Sequence, residues 1–515
     1  MARNRTQRSA KNTFTGLLLR ILALLAPFIV RTIIIKKLGV DYLGINSLFS
    51  SILQVLSLAE LGFSASIAFA LYKPIENKDK KLINAFLKLL KKIYLIIGGV
   101  ILVVGAALTP VIPFLIQGSY PSDINIYVIY IIYLANTAIS YFMWAYKSVL
   151  FVADQRSDIE NVVQMIGLLF MYSLQVVFLL VFANYYIYII FMPISTLLIN
   201  VVRVIYAKKR YPDYLPEGQL TKEERKGVFK NIGALFGHRL SYTIVSSTDS
   251  IFISAFLGLG PLALYQNYFF IISSLIAIIS VFYQSITASI GNSIVVESVE
   301  KNYSDFKKLT FINVFIVGWM SICYVVLCQD FMRIWVGEEN MLPLYIPLLL
   351  GAYFFLWKFK DILPVYKDAC GMWKQDLLKP YVVSVLNIGL DFLLIYYLGM
   401  IGVIIATIFV VFVVSMPWET HVFFRDYFKR KPTEYYIRLL IYTLIVGAVG
   451  VGTYFGCLYM PSGNIWWFIL KAFVCAVVPA LAFLLITFKT SEFKWCLEKV
   501  KFLIHKKKSS EEKAE

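Results

Sequence analysis

Residues 11–44 read KNTFTGLLLRILALLAPFIVRTIIIKKLGVDYLG. Arg20 and Arg31 stand inside an apolar span, the run Leu38-Gly39-Val40-Asp41-Tyr42-Leu43-Gly44 closes it, and a second apolar stretch carrying Glu60 follows. The plan recurs in the same register, without a gap, from Lys230. Lys11-Asn12, Arg20, Ile34, Leu38-Gly39 and Leu43 correspond to Lys230-Asn231, Arg239, Ile253, Leu257-Gly258 and Leu262. Apolar identities are common in a chain of this composition, so the recurring arginine carries the inference. Two copies of one unit imply a pore or cleft between them.

Working outward, 59% hydrophobic and 16% charged residues, with a mean hydropathy of +0.73, exclude an ordinary soluble domain and point to a polytopic membrane protein. A formal charge of +18 raises nucleic acid as a partner, but the lysines and arginines sit between apolar spans, which argues against it. The first span runs on to a second without a small-residue cleavage site and reads as a retained signal-anchor. The six cysteines, Cys323, Cys328, Cys370, Cys457, Cys475 and Cys496, show no metal-ligand spacing and read as small apolar fillers.

About fourteen stretches are long and apolar enough to span: 12–36, 43–71, 93–116, 126–150, 159–182, 184–207, 232–257, 262–288, 309–329, 343–363, 377–398, 400–418, 435–459 and 466–488. Nearly all basic residues of the connections fall in alternate ones, and the opposite set holds only Lys36, Lys37 and Arg333. Both termini are therefore expected in the cytoplasm. Segment 73–92 interleaves seven lysines with Leu82, Ile83, Phe86, Leu87 and Leu90, and reads either as an amphipathic helix drawn to anionic lipids of the inner leaflet or as a topology determinant alone. The predicted fold is an all-α polytopic membrane protein of two parallel-repeat six-helix lobes plus two C-terminal helices. Residues 1–210 form the N-lobe, 211–230 a cytoplasmic linker with Pro212, Pro216 and Gly218, and 231–420 the C-lobe. Helices 13 and 14 occupy 435–488, and 489–515 form a basic cytoplasmic tail whose end, Lys506 to Glu512, is expected to be disordered.

The polar entry into helix 1 with its late arginine, Leu38-Gly39 with Tyr42-Leu43-Gly44, and Glu60-Leu61-Gly62 resemble the Wzx-type polysaccharide flippases of the multidrug/oligosaccharidyl-lipid/polysaccharide exporter superfamily. So do Thr248-Asp249 with Ile253-Ser254, Leu257-Gly258 and Tyr265, and Asn387 to Asp391 with Gly399-Met400-Ile401-Gly402 and Ala406-Thr407. The resemblance implies two six-helix lobes around a cavity that opens alternately to each side. It implies a substrate that is an undecaprenyl-pyrophosphate-linked oligosaccharide, carried to the outer leaflet of the bacterial cytoplasmic membrane for surface polysaccharide synthesis. It implies no cofactor, with the membrane potential or an ion gradient as driving force, and a polysaccharide polymerase and glycosyltransferases as further candidate partners. Sister families are the lipid II flippases and the cation-coupled drug exporters, and both stay open as alternatives.

An arginine at the centre of a membrane helix costs about 2.5–3.5 kcal/mol, so each needs a partner or a wet cavity. Arg20 and Arg31, three turns apart, share a face of helix 1, and Arg239 repeats Arg20. Guanidinium binds pyrophosphate oxygens bidentately at any physiological pH, which makes these three, with Lys147, the candidate substrate-binding set. Arg31 and Lys147 have an alternative, since each lies near a helix end and can snorkel. Asp249 either couples a cation or proton or neutralises Arg31. Glu60 reads as a structural contact to basic loops, and His238 as a packing residue or a proton carrier. Lys358 and Asp361 are spaced to pair. Tyr130, Tyr133, Tyr141 and Trp144 could stack on sugar, whereas Trp335, Trp373, Trp418, Trp466 and Trp467 read as interfacial anchors. No phosphate-binding Gly-rich loop, metal cluster or nucleophile elbow appears, and no outer connection is long enough for an extracytoplasmic catalytic domain, so the chain reads as a transporter rather than an enzyme.

Overall fold

The computed structural model describes residues 2–60 and 62–499, with side chains undescribed at 2–7, 9, 10, 59 and 230–235. The side chains of the match at Lys230-Asn231 and the whole tail from Lys506 to Glu512 thus lie outside what is described. The helices run α1 (Ala2–Lys37), α2 (Val40–Leu56), α3 (Phe63–Glu76), α4 (Lys80–Leu108), α5 (Ile126–Phe142), α6 (Ser148–Ala153), α7 (Ser157–Phe182), α8 (Tyr185–Arg210) and α9 (Lys222–Leu257). They continue as α10 (Leu259–Val296), α11 (Val299–Val336), α12 (Tyr345–Lys358), α13 (Ile362–Ala369), α14 (Lys379–Leu398), α15 (Met400–Phe409), α16 (Met416–Phe423), α17 (Thr433–Leu458) and α18 (Ile465–Thr487). Residues 491–499 are helical as well, and no strand occurs among the described residues. The protein is an all-helical, multi-pass membrane protein.

Among the described residues, eleven helices are long and apolar enough to cross a membrane, or twelve if α5 and the segment Ala145–Ala153, bent by 48°, form one span. The two remaining stretches of the sequence reading are broken. Segment 43–71 stops at Leu56, tightens into a 3₁₀ turn over Ser57–Glu60 and restarts after Gly62, whose φ of 96° only glycine adopts without strain. Segment 343–363 ends at Lys358 and turns before α13. The first break leaves little mark in a hydropathy run because Leu56, Leu58, Ala59 and Leu61 around it are apolar, whereas the second coincides with the charged run Lys358-Phe359-Lys360-Asp361.

Three boundaries need correction. The basic segment 73–92 is not a separate surface helix: α3 carries residues 73–76, a turn follows, and residues 80–92 are the opening turns of the spanning helix α4. There Ile83, Phe86, Leu87 and Leu90 are buried while Lys81, Lys88, Lys91 and Lys92 stay exposed, so one amphipathic pattern serves a buried helix face. The linker ends earlier than expected, since Thr221 caps α9 through a reciprocal capping box with Glu224. The twelfth span does not stop at 418 but runs to Phe428 through two π-helical stretches, Val410–Ser415 and Phe424–Phe428, which brings Glu419 inside the helix.

By contacts the chain forms two compact units. The first comprises residues 1–266 and 380–403, the second 267–379 and 404–515. In the first unit α7 packs against α1 and α8, α5 against α4 and α8, and α2 against α9. In the second, α11 is the central helix, touching α12, α13, α17 and α18. The approach of α2 to the α9–α10 turn is close enough to require glycine. A Cβ on Gly44 would stand 2.3 Å from the Leu259 carbonyl oxygen and 2.9 Å from its Cα. One on Gly260, the repeat counterpart of Asp41, would stand 3.3 Å from the Asp41 carboxylate. Nearby, the Gln117 N–H donates to the Ser254 carbonyl (2.9 Å). The two copies of the Leu-Gly turn therefore meet at one end of this unit.

Candidate functional site

The predicted residues fall into distinct settings within the first unit. Arg20 and Arg31 sit half-buried on α1, a helix that contains no acidic residue. Arg31 lies within electrostatic range of the Tyr188 phenol. Tyr188 belongs to a buried tyrosine cluster. Tyr133 donates to Asn46 Oδ1 (2.8 Å), its hydroxyl lies 3.2 Å from that of Tyr185, and Asn46 Nδ2 donates to Tyr188 (3.5 Å). Tyr133, read from sequence as a stacking platform, spends its hydroxyl in this network. Arg239 is exposed on α9 and His238 beside it is half-buried. Lys147 is buried, at 8% exposure, in the bend between α5 and α6.

Glu60 corrects the expectation of a contact to basic loops. Its carboxylate accepts from Tyr94 (2.9 Å), Ser64 (3.1 Å) and Tyr141 (2.7 Å). The 3₁₀ turn that breaks the second span thus carries an acid tied by two phenols to α4 and α5. Removing the charge while keeping the shape tests this bracing. Glu60→Gln should lower the melting temperature measurably, by about 1–2 kcal/mol of lost charge-assisted hydrogen bonding, and an unchanged melt would exclude it. A second buried charge pair, unremarked in the sequence, joins α7 to α8: Arg203 Nε donates to Glu160 Oε2 (3.1 Å) and Nη2 to Oε1 (2.5 Å). Both residues stand in or beside apolar runs, which is the signal that could have found them.

Asp249 is buried on α9 at 4% exposure and accepts from Tyr265 (3.2 Å). Within electrostatic range lies Asp391 of α14, fully buried. Thr248 Oγ1 lies 2.9 Å from the Ile244 carbonyl and 3.3 Å from both Asp391 Oδ2 and Asn387 Oδ1, any one of which can take its single proton, and Asn387 Nδ2 approaches Asp391 Oδ1 at 3.5 Å. Two carboxylates, an amide and a hydroxyl on facing helices make an oxygen-rich site of the kind that holds a hard cation or shares a proton. Asp249 and the run Asn387 to Asp391 stand out in the sequence, but Asp391 gains a role only because α14 approaches α9, which no linear pattern states.

In the second unit Lys358 donates to Asp361 (2.8 Å) as the spacing predicts. The surroundings are richer than a helix-end pair. Lys360 donates to Glu419 (2.9 Å), Glu419 also binds Lys379, Lys379 lies 3.4 Å from Asp376, and Asp376 binds Lys367. All five are buried.

No family model and no curated protein sequence matches the chain. Solved structures do. The lipid II flippase MurJ in an inward closed conformation aligns with a TM-score of 0.66 at 15% identity, over 92% of this chain and 98% of that one. An inward-facing multidrug resistance MATE family transporter of the MOP superfamily aligns at 0.63 and 15% identity, over 79% and 97%. A MOP superfamily transporter from Pyrococcus furiosus, described by a reversed polarity of its binding pocket, aligns at 0.53 and 13% identity, over 83% and 97%. These neighbours are transporters and flippases. At such identities the likeness establishes the fold, which is that of MOP superfamily transporters.

Proposed function

We propose that this chain flips an undecaprenyl-pyrophosphate-linked oligosaccharide from the inner to the outer leaflet of the bacterial cytoplasmic membrane by alternating access, with both termini in the cytoplasm. The observation that carries the reading is α1 itself: two guanidinium groups along its apolar length and no carboxylate. A cation-binding exporter needs acids where this helix has bases. Arg239 on the repeat-related α9 extends the same charge, and Lys147 belongs to the set as a buried cation of the same unit. The two broken stretches count as spans in this reading, giving fourteen, an even number as the common side of the termini requires. An anionic head carrying two charges gains about 5 kcal/mol per 100 mV on moving outward from a negative interior, so the potential supplies direction. A polymerase and glycosyltransferases would act on either side of this step.

The test is flipping of a fluorescent undecaprenyl-pyrophosphoryl oligosaccharide in proteoliposomes. Arg20→Ala and Arg239→Ala should each reduce the rate about tenfold or more while melting temperature holds, as expected for loss of a charge-assisted phosphate contact. Flipping at the intact rate in both would discard the arginine site.

The pair Asp249 and Asp391 favours a second reading, a cation- or proton-coupled exporter of small molecules. It also fits a flippase in which ion binding at the acids biases the cycle. Asp391→Asn separates the two. If the acids only bias a flippase, the variant keeps potential-driven flipping and loses its response to a Na⁺ or pH gradient. Cation-dependent drug efflux with no flipping by the intact chain would establish the exporter.

A further inference from the structure

A fissure of about 580 Å³ opens in the first unit where the first turns of α7 meet α1 and the last turn of α8. Its rim is basic, with Lys11, Arg156, Lys209 and Arg210. Its floor is apolar, with Ile159, Val162, Val163 and Ile166 of α7. The rim is arranged rather than merely charged. Asp158, at 3% exposure, takes Arg156 Nε (2.8 Å) and Nη2 (3.1 Å), which fixes the guanidinium plane and leaves both N–H donors of Nη1 for another acceptor. Lys11 is held 3.3 Å from the same carboxylate, and Arg210 at 3.3 Å from Asp154. Lys209, exposed, has no acidic partner among the described residues. Below the rim the floor continues along one face of α7 through Ile166, Leu169 and Phe170, which are 46%, 47% and 37% exposed. From Ile159 to Phe170 that face is about 16 Å long, the reach of most of an acyl chain.

We propose that this fissure seats one anionic phospholipid, its phosphate against Arg156 Nη1 and Lys209 and one acyl chain along Ile159, Val162 and Ile166. Charge decides the occupant. Four cations against two carboxylates, Asp158 and Asp154, leave the rim net positive, which suits an anionic head group and disfavours a zwitterionic one, whose own cation would face Arg156 and Lys209. The volume is that of a small-molecule pocket. The apolar floor excludes a soluble phosphate as sufficient, since half the lining would then gain nothing. The basic ring lies where α1 begins and α8 ends, the level at which the sequence places the inner leaflet, where anionic lipids concentrate. A lipid here ties α1 to α7 and α8, and the site does not depend on what the chain transports.

Native mass spectrometry of the purified full-length protein, titrated with palmitoyl-oleoyl phosphatidylglycerol or the matching phosphatidylcholine, tests the assignment. Phosphatidylglycerol should fill one site and bind about tenfold or more tighter than phosphatidylcholine. Lys209→Glu, at an exposed position, should weaken it by about tenfold or more, as two charge units near a lipid head group dictate. Ile166→Ser should weaken the long-chain lipid while sparing a dihexanoyl analogue. The matching reversal Lys88→Glu, on an exposed face of α4, should change nothing. Equal binding of the two lipids, or an equal loss in Lys88→Glu, would overturn the proposal in favour of diffuse attraction. Displacement by millimolar inorganic phosphate would overturn it in favour of a bare anion site.

Discussion

Gly44→Val is expected to abolish transport, reducing it about tenfold or more, while the protein still inserts. The reason is steric and local. At position 44 the side chain points at backbone, with the Leu259 carbonyl oxygen 2.3 Å, its carbon 2.8 Å and its Cα 2.9 Å from where a Cβ would stand. A flexible side chain could turn aside, but the first turn of α10 cannot move without carrying the Leu257-Gly258 turn with it. Gly258 is itself confined, having a φ of 95° and a Cβ direction that meets the Gln117 carbonyl oxygen at 2.8 Å. Valine therefore forces α2 and the α9–α10 turn apart. In the alternating-access cycle proposed above this contact would serve as a closed face, and a protein that cannot close one face would not complete that cycle. Ala263, the repeat counterpart of Gly44, is fully buried and accepts cysteine with little change in volume. In a background free of the native cysteines, Ala263→Cys should react slowly with a membrane-impermeant maleimide, and about tenfold faster or more once Gly44→Val is added. Normal transport with unchanged labelling would show that the contact does not gate.

That contact could be foreseen only in part. The recurrence of Leu-Gly with a leading arginine was visible because charge inside an apolar run is expensive and therefore informative. What the recurrence could not say is that the two turns touch. Glu60 shows the same limit. The sequence marks it as an acid in an apolar stretch, but its partners, Tyr94 and Tyr141, lie 34 and 81 positions away on other helices. Asp391 was hidden differently, since its meaning depends on Asp249 across the α9–α14 contact. Lysines mislead most. Lys367 and Lys379 flank a charged connection between apolar stretches, yet they are buried, because a partner acid turns a costly burial into a satisfied one. The hydropathy run ends at 418 and puts Glu419 in a connection, whereas the helix continues through its π-helical turns to Phe428.

Glu419 is also where the second unit is most vulnerable, and Glu419→Gln is expected to cost about 3–5 kcal/mol of its stability. The carboxylate sits between Lys360 of the α12–α13 turn and Lys379 at the start of α14, and Lys379 passes the connection to Asp376 and Lys367. Removing the central acid leaves Lys360 with Asp361, 3.9 Å away, as its remaining acidic contact, and leaves Lys379 to share Asp376 with Lys367. Glutamine keeps the volume and can accept one hydrogen bond, so the loss is of charge and not of packing. Thermal unfolding of the detergent-solubilised protein should show a clear fall in melting temperature. The decisive measurement is the cycle with Lys379→Met. If the network is electrostatic, removing one lysine as well should recover about 1–3 kcal/mol relative to the sum of the two single losses. Strict additivity would mean that Glu419 acts through the fit of α16 against α13 alone. Recovery would instead identify the chain of alternating charges as the clasp that joins the broken tenth stretch to Lys379 and α16, and would explain how four lysines come to be buried in so apolar a unit.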